Sequence, residues 1–231
     1  MDRVLQASAK TRFNMHLSGL FRRFFIALVV LFSGYLSVSA QVKVLPVIPG
    51  KTNPAIQQVH SPHLAVYDPR VHSKGKLILM FVGTGGSAAS LRGMDSIFAT
   101  MGYHAISLDY ENNVITTACS HSKDSACFNH FRKEIVTGTP VSSIVKVDSA
   151  NSILNRFREL LRYLVKNDPD GRWGRFVKHG KPRWNRIITA GHSQGAGHSA
   201  YLGKMFKVSR VLVFSGPQDY LDVFHEPAGW Q

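Results

Sequence analysis

GHSQGAG, residues 191–197, decides how the rest of the chain reads. It follows the short run Arg186-Ile187-Ile188-Thr189-Ala190 and precedes a helical stretch that reaches about Phe206. A G-x-S-x-G pentapeptide between a buried strand and a helix forces a sharp bend, and Gly191 and Gly195 remove side chains that would collide there. Ser193 is thereby lifted above the sheet edge as a candidate nucleophile. The N-terminus of the helix behind it and the backbone N–H of Gln194 can then stabilise negative charge on a substrate oxygen. Five-residue patterns of this kind also arise by chance, and a Gly-rich turn with a serine cap is the plain alternative. The flanking elements decide between them.

Upstream, Leu64 to Tyr67 reads as a short strand, and Lys76 to Val82, with the unbroken run LILMFV, as a strand buried on both faces. The turn Gly83-Thr84-Gly85-Gly86 follows, where the backbone N–H of Thr84 or Gly85 supplies a second donor for the same oxygen. Ser90 can cap a helix carrying Leu91, Met94, Ile97, Phe98 and Met101 on one side, and His104 to Tyr110 is the next strand. Residues 111–146 are polar, hold both cysteines and read as an excursion from the sheet. Asp148 or Ser149 can cap a helix whose stripe is Ile153, Leu154, Phe157, Leu160, Leu161 and Leu164, ended by Asn167-Asp168-Pro169. The strand at 186–190, the elbow, its helix and a last strand in RVLVFSG, residues 210–216, complete the series. Strands alternating with helices predict an α/β fold, a mostly parallel sheet flanked by helices with right-handed crossovers.

GHSQG, preceded about a hundred residues earlier by a strand ending in GTGG, resembles the α/β-hydrolase superfamily. GHSQGAGHSAYLGK followed by RVLVFSGPQDY is similar to secreted bacterial members of it, and the resemblance covers Leu64 to Tyr220. It implies Ser-His-acid cleavage of an ester, thioester or amide through an acyl-enzyme on Ser193, with a small-molecule or lipid-like acyl substrate. It also implies an acid after a late strand and a histidine near the C-terminus. Here five strands are read where the family has about eight, and only His198 and His225 lie downstream of Ser193. His198 sits in the elbow helix, which carries its ring away from the hydroxyl. His225 lies six residues after Asp219, close for a pair that must converge from separate loops, and is the weak candidate base. Asp219, at the end of the strand beside the nucleophile strand, is the tentative acid, with Asp222 behind it. His192 is expected to pack or hydrogen-bond near the elbow. The expectation is a hydrolase-like domain lacking its last strands, incomplete at the C-terminus, with its base outside this sequence and its activity weak.

The 231 residues, 44% hydrophobic, suffice for one packed domain. Residues 1–40 read as an export signal: Arg22-Arg23, the apolar run Phe24 to Leu36, then Val38-Ser39-Ala40 as the cleavage site. That run is shorter than the roughly 20 residues of a spanning helix, so no stable membrane span is expected after cleavage. Residues 41–62 read as an extended lead-in and 63–231 as the hydrolase-like domain, periplasmic or secreted. Export permits a disulfide, and Cys119 and Cys127 are expected to form one. No metal and no cofactor is expected. The net charge of +14 falls to +10 when the signal's five basic residues and one acidic residue are removed. Its densest stretch is Arg172, Arg175, Lys178, Lys181, Arg183 and Arg186 with Trp173 and Trp184. A solvated loop, weakly attracted to anionic surfaces, accounts for it, and no nucleic-acid motif accompanies it. Two rival functions stand beside the hydrolase. Gly83 to Ala88 fits G-x-G-x-x-A with Asp109 ending the next strand, which would make a dinucleotide-binding domain. The other is a non-catalytic hydrolase remnant that binds a ligand or a surface.

Overall fold

A computed structural model describes residues 41–231; the expected signal segment, 1–40, lies outside the described residues. Six strands form one mixed sheet: β1 (Lys43–Val47), β2 (His63–Tyr67), β3 (Leu77–Phe81), β4 (His104–Ser107), β5 (Ile187–His192) and β6 (Arg210–Phe214). Their order across the sheet is β1-β2-β4-β3-β5-β6. The four strands β4, β3, β5 and β6 run parallel, with Leu77 beside both His104 and Ile187, and Ile188 beside Arg210. At the other side β2 is antiparallel to both β1 and β4. The α/β fold read from the sequence is thus present, with one strand more than expected.

That strand, β1, lies inside residues 41–62, so the expected lead-in is part of the sheet rather than a tether to it. Pro46 interrupts its sequence and hides it, since proline cannot donate to a ladder. At the sheet edge the loss is tolerated, because one side of the strand has no partner to receive the bond.

Alternation along the central strands divides the core. Leu77, Leu79 and Phe81 of β3 join Ile187 in a large cluster with helices α2 (Cys127–Thr137), α3 (Ile153–Asn167) and α4 (Gln194–Met205). Ile78, Met80, Ile188 and Ala190 point the other way, onto Leu91 and Phe98 around helix α1 (Arg92–Thr100). In α3 the expected stripe is buried, with Leu154 half-buried beside it, while the cap is Ser152, whose hydroxyl accepts from the Asn155 N–H, instead of Asp148 or Ser149. The stripe expected on α1 holds only at Leu91 and Phe98. Asp95 and Ala99, one turn apart, form its buried line, and Ile97 is 61% exposed, with Met94 and Met101 also at the surface. Ser107 donates to Asp95 at 2.6 Å, so a polar contact anchors the buried line beside Leu91 and Phe98. Ser90 lies in a 3₁₀ turn ahead of α1 and does not cap it.

The stretch 111–146 is not merely an excursion. It contains α2, whose Phe128, Phe131, Ile135 and Val136 enter the main core. Cys119 and Cys127 are joined as expected, with Cα atoms 5.6 Å apart. In the basic stretch Trp173 is buried and Trp184 stacks on Phe206, so the two rings are core packing and offer no platform for bases. Among the described residues no helix is long and apolar enough to cross a membrane.

Candidate active site

Strand order reverses between β3 and β5: β4 returns to one side of β3, while β6 continues on the other side of β5. In open α/β sheets the crevice at such a point, beyond the carboxyl ends of the strands, is where ligands bind. The turn after β3 and the elbow after β5 both lie there.

The elbow is strained as the pattern requires. Ser193 has φ 54° and ψ −120°, a conformation that L-residues seldom adopt outside functional turns. A Cβ on Gly191 would fall 2.2 Å from the Gly195 carbonyl oxygen, and one on Gly195 2.3 Å from that of Phe81, so both positions must be glycine. The Ser193 N–H donates to the Phe214 carbonyl at 2.9 Å, tying the elbow to the end of β6. Ser193 opens on a cavity of about 360 Å³ whose walls include Gly83, Thr84, Thr116, Arg132, Gln194 and Asp219. A Cβ built on Gly83 would stand 3.2 Å from the Ser193 Cβ, which measures how closely the two turns approach.

Of the two donors expected from the upstream turn, Gly85 drops out. Its N–H is spent on the Asn112 carbonyl at 3.0 Å, and that of Gly86 on the Gly83 carbonyl at 3.1 Å. The Thr84 N–H, like that of Gln194 at the head of α4, donates to no acceptor among the described residues. The Thr84 hydroxyl donates to Gln194 Oε1 at 2.6 Å and so links the two halves of the site.

The expected acid and base do not meet. Asp219 is buried at the cavity wall, but Arg132 holds it through Nε at 2.9 Å and Nη2 at 2.7 Å, and the Trp230 indole donates to it at 2.8 Å. Arg132 also donates to the Gln194 carbonyl at 2.7 Å. His225 is exposed, in the turn between the paired segments Tyr220–Leu221 and Glu226–Pro227, and is absent from the cavity wall. Asp222 faces His121 at 3.2 Å, out in solvent. His198 is fully buried between Tyr110 and Phe131, with neither ring nitrogen bonded. Burial, and then the nearby Arg132 charge, push its pKa well below the ordinary value, so it stays neutral. His192 lines the cavity beside the elbow. Among the described residues no imidazole hydrogen-bonds to the Ser193 hydroxyl.

Arg132 and Asn112 were not anticipated. Arg132 carried a detectable signal, a charge set within the apolar side of α2 between Phe128, Phe131 and Ile135. Asn112 had none, because its partners are backbone carbonyls about thirty residues away. The dinucleotide reading loses its acid: Asp109 is buried, pairs with Arg156 at 3.0 Å and accepts the Ser61 N–H at 2.9 Å. The turn it relied on leads into the 3₁₀ segment Ala88–Leu91, where the pattern needs the start of a helix.

Solved structures similar to the chain include esterases of the α/β-hydrolase fold, an S-formylglutathione hydrolase and an isopeptidase. They include esterase B from Lactobacillus rhamnosis, at 12% identity and TM-score 0.37 over 84% of this chain and 54% of that one. A bacterial heroin esterase aligns at 15% identity and TM-score 0.38, over 83% and 50%. An esterase from the archaeon Pyrobaculum calidifontis aligns at 16% identity and TM-score 0.34, over 71% and 38%. The chain spans about half the length of the first two. No family model matches the chain, and no curated protein matches it.

Proposed function

We propose that the chain is an exported serine esterase of the α/β-hydrolase type, acting on a carboxylic ester or related acyl bond. The observation that carries this reading is the strained Ser193 elbow facing two unengaged amides, Thr84 N–H and Gln194 N–H, across one cavity. Ser193 Oγ bonds to the acyl carbon while the carbonyl π electrons move to oxygen, and the two amides hold that oxyanion. Collapse expels the alkoxide, which leaves as the alcohol on taking a proton, and the acyl group stays on Ser193. Water then attacks the acyl carbon and releases the acid.

The step that limits this chain is the departure of the Ser193 proton. With no imidazole among the described residues bonded to the hydroxyl, the proton passes to water or buffer, and turnover falls orders of magnitude below that of a complete triad. The experiment is short-chain p-nitrophenyl ester hydrolysis with and without added imidazole, alongside fluorophosphonate labelling. Labelling at Ser193, with slow turnover accelerated by imidazole and abolished by Ser193→Ala, is the expected result. Labelling that survives Ser193→Ala overturns it. Robust turnover that disappears on replacing His225 would assign the base to the tail.

A second reading, a non-catalytic ligand-binding hydrolase relative, draws on the complete engagement of Asp219 by Arg132 and Trp230. Saturable binding of an acyl ligand with no covalent adduct favours it. Export rests on the segment 1–40, and the Cys119–Cys127 bond supports it.

A further inference from the structure

We infer that Asn112 is a positioning residue for the oxyanion turn: its side-chain amide pins the Gly83 and Gly86 carbonyls, so that the unengaged Thr84 N–H is held in place toward substrate. The inference rests on the reading of Ser193 as nucleophile.

Gly83-Thr84-Gly85-Gly86 is a loose segment by composition, since glycines surrender more freedom on ordering than any other residue. Donors aimed at a developing oxyanion act only if they are fixed before the reaction. Something outside the turn must therefore hold it. Asn112 is 2% exposed, and its Nδ2 lies 3.0 Å from the Gly83 carbonyl oxygen and 2.8 Å from that of Gly86. A planar NH₂ group has two protons at a fixed angle, and both are used on carbonyls that flank Thr84. The Asn112 backbone carbonyl takes the Gly85 N–H as well, and two residues earlier the Tyr110 hydroxyl donates to the Val82 carbonyl at 2.5 Å. The chain leaving β4 thus grips every residue of the turn except Thr84, whose side chain reaches instead to Gln194. Aspartate would set a carboxylate oxygen against two carbonyls, and alanine leaves the Gly86 carbonyl without a donor and that of Gly83 with only the Gly86 N–H, while sparing the backbone bond to Gly85.

The test compares wild type with Asn112→Ala and Asn112→Ser in two ways. In fluorophosphonate labelling of Ser193, the first-order bond-forming constant falls about 10- to 100-fold in Asn112→Ala, a loss approaching that of an oxyanion donor. The half-saturating probe concentration stays within about twofold, the signature of a group that matters only in the transition state. Asn112→Ser, which keeps one hydroxyl donor, recovers part of the rate. A lower melting temperature with the bond-forming constant unchanged means that Asn112 only braces the loop, and overturns the inference. Amide exchange read by NMR is the second arm, and it does not require a reactive serine. Thr84 exchanges fast and Gly86 slowly in wild type, and Gly86 becomes fast in Asn112→Ala. A protected Thr84 amide in wild type, or Gly86 protection that survives the substitution, sinks the clamp. A wild-type Ser193 that never labels sinks the nucleophile reading instead, and the exchange arm then judges Asn112 alone.

Discussion

Arg132, which spacing and motif did not mark, and Asp219, expected there as an acid, pair at the wall of the cavity. Their pair is doubly bonded and 1% exposed on each side chain, and Arg132 extends it to the Gln194 carbonyl. Removing one partner of such a pair strands a charge where water cannot reach it, which costs more than the pair itself contributes. Asp219→Ala is therefore expected to destabilise the protein by about 3–5 kcal/mol in urea unfolding, whereas a wholly exposed pair would cost under about 1 kcal/mol. A small loss would mean that Arg132 finds another acceptor. The same buried interior sets a pH response with two opposed limbs. Burial lowers His63 to about 3 and His104 to about 4, so both stay neutral in the fold while the unfolded chain protonates them below about 6.5. Their contribution is complete above that value and is lost as pH falls toward the folded values. Burial raises Asp95 to about 7, and there the folded state keeps a proton that the unfolded chain releases above about 3.8. Its contribution is present at low pH and disappears as pH rises toward 7. Asp95→Asn should thus flatten the neutral limb. It should gain stability over wild type at pH 8, with an upper bound on the order of 4 kcal/mol, and gain less at pH 5. Equal unfolding midpoints for the two proteins at pH 8 would show that Asp95 titrates in the fold as it does in the unfolded chain.

At the scale of elements, what could be read from the chain divides by where the information lies. β3, β5 and α3 were legible because strands buried on both faces are continuous apolar runs and α3 keeps a helical period. The elbow was legible because only glycine fits at 191 and 195. β1 was not, since an edge strand can carry Pro46 and needs no alternation. The face of α1 was read in part for a different reason: period finds Leu91 and Phe98, but the buried line turns toward Asp95 and Ala99, and a hydrogen bond from Ser107 holds Asp95 there. The grip of Asn112 on the 83–86 turn and of Arg132 on Asp219 joins residues that only the tertiary fold brings together. The segment carrying both is stapled by Cys119–Cys127, directly beside Thr116 and Thr117 of the cavity wall. Replacing both cysteines with serine is expected to cost about 2–3 kcal/mol, as for a short loop. In the same variant the 116–119 backbone should exchange its amides faster. Unchanged exchange there would show that packing of α2 alone holds the wall.

For the molecule as a whole, the sheet is unevenly protected. Parallel strands are ordinarily covered on both faces, yet β6 has Val213 45% and Phe214 37% exposed, and its outer edge pairs with no strand among the described residues. An apolar edge with a row of free N–H and C=O groups is a template for pairing with another chain, and a lysine on the strand is the usual means of blunting it. The net charge of +14 opposes association at long range, but physiological salt screens it beyond about 8 Å, which leaves the edge to act at contact. Sedimentation velocity over a tenfold concentration range should therefore show reversible association that strengthens with salt. Val213→Lys should weaken it without changing the melting temperature, because Val213 is half in solvent already. The substitution also spares the Phe214 carbonyl that receives the Ser193 N–H, so labelling at Ser193 should persist in the variant. Association that weakens with salt, or that Val213→Lys leaves intact, would move the contact from this edge to the charged surface.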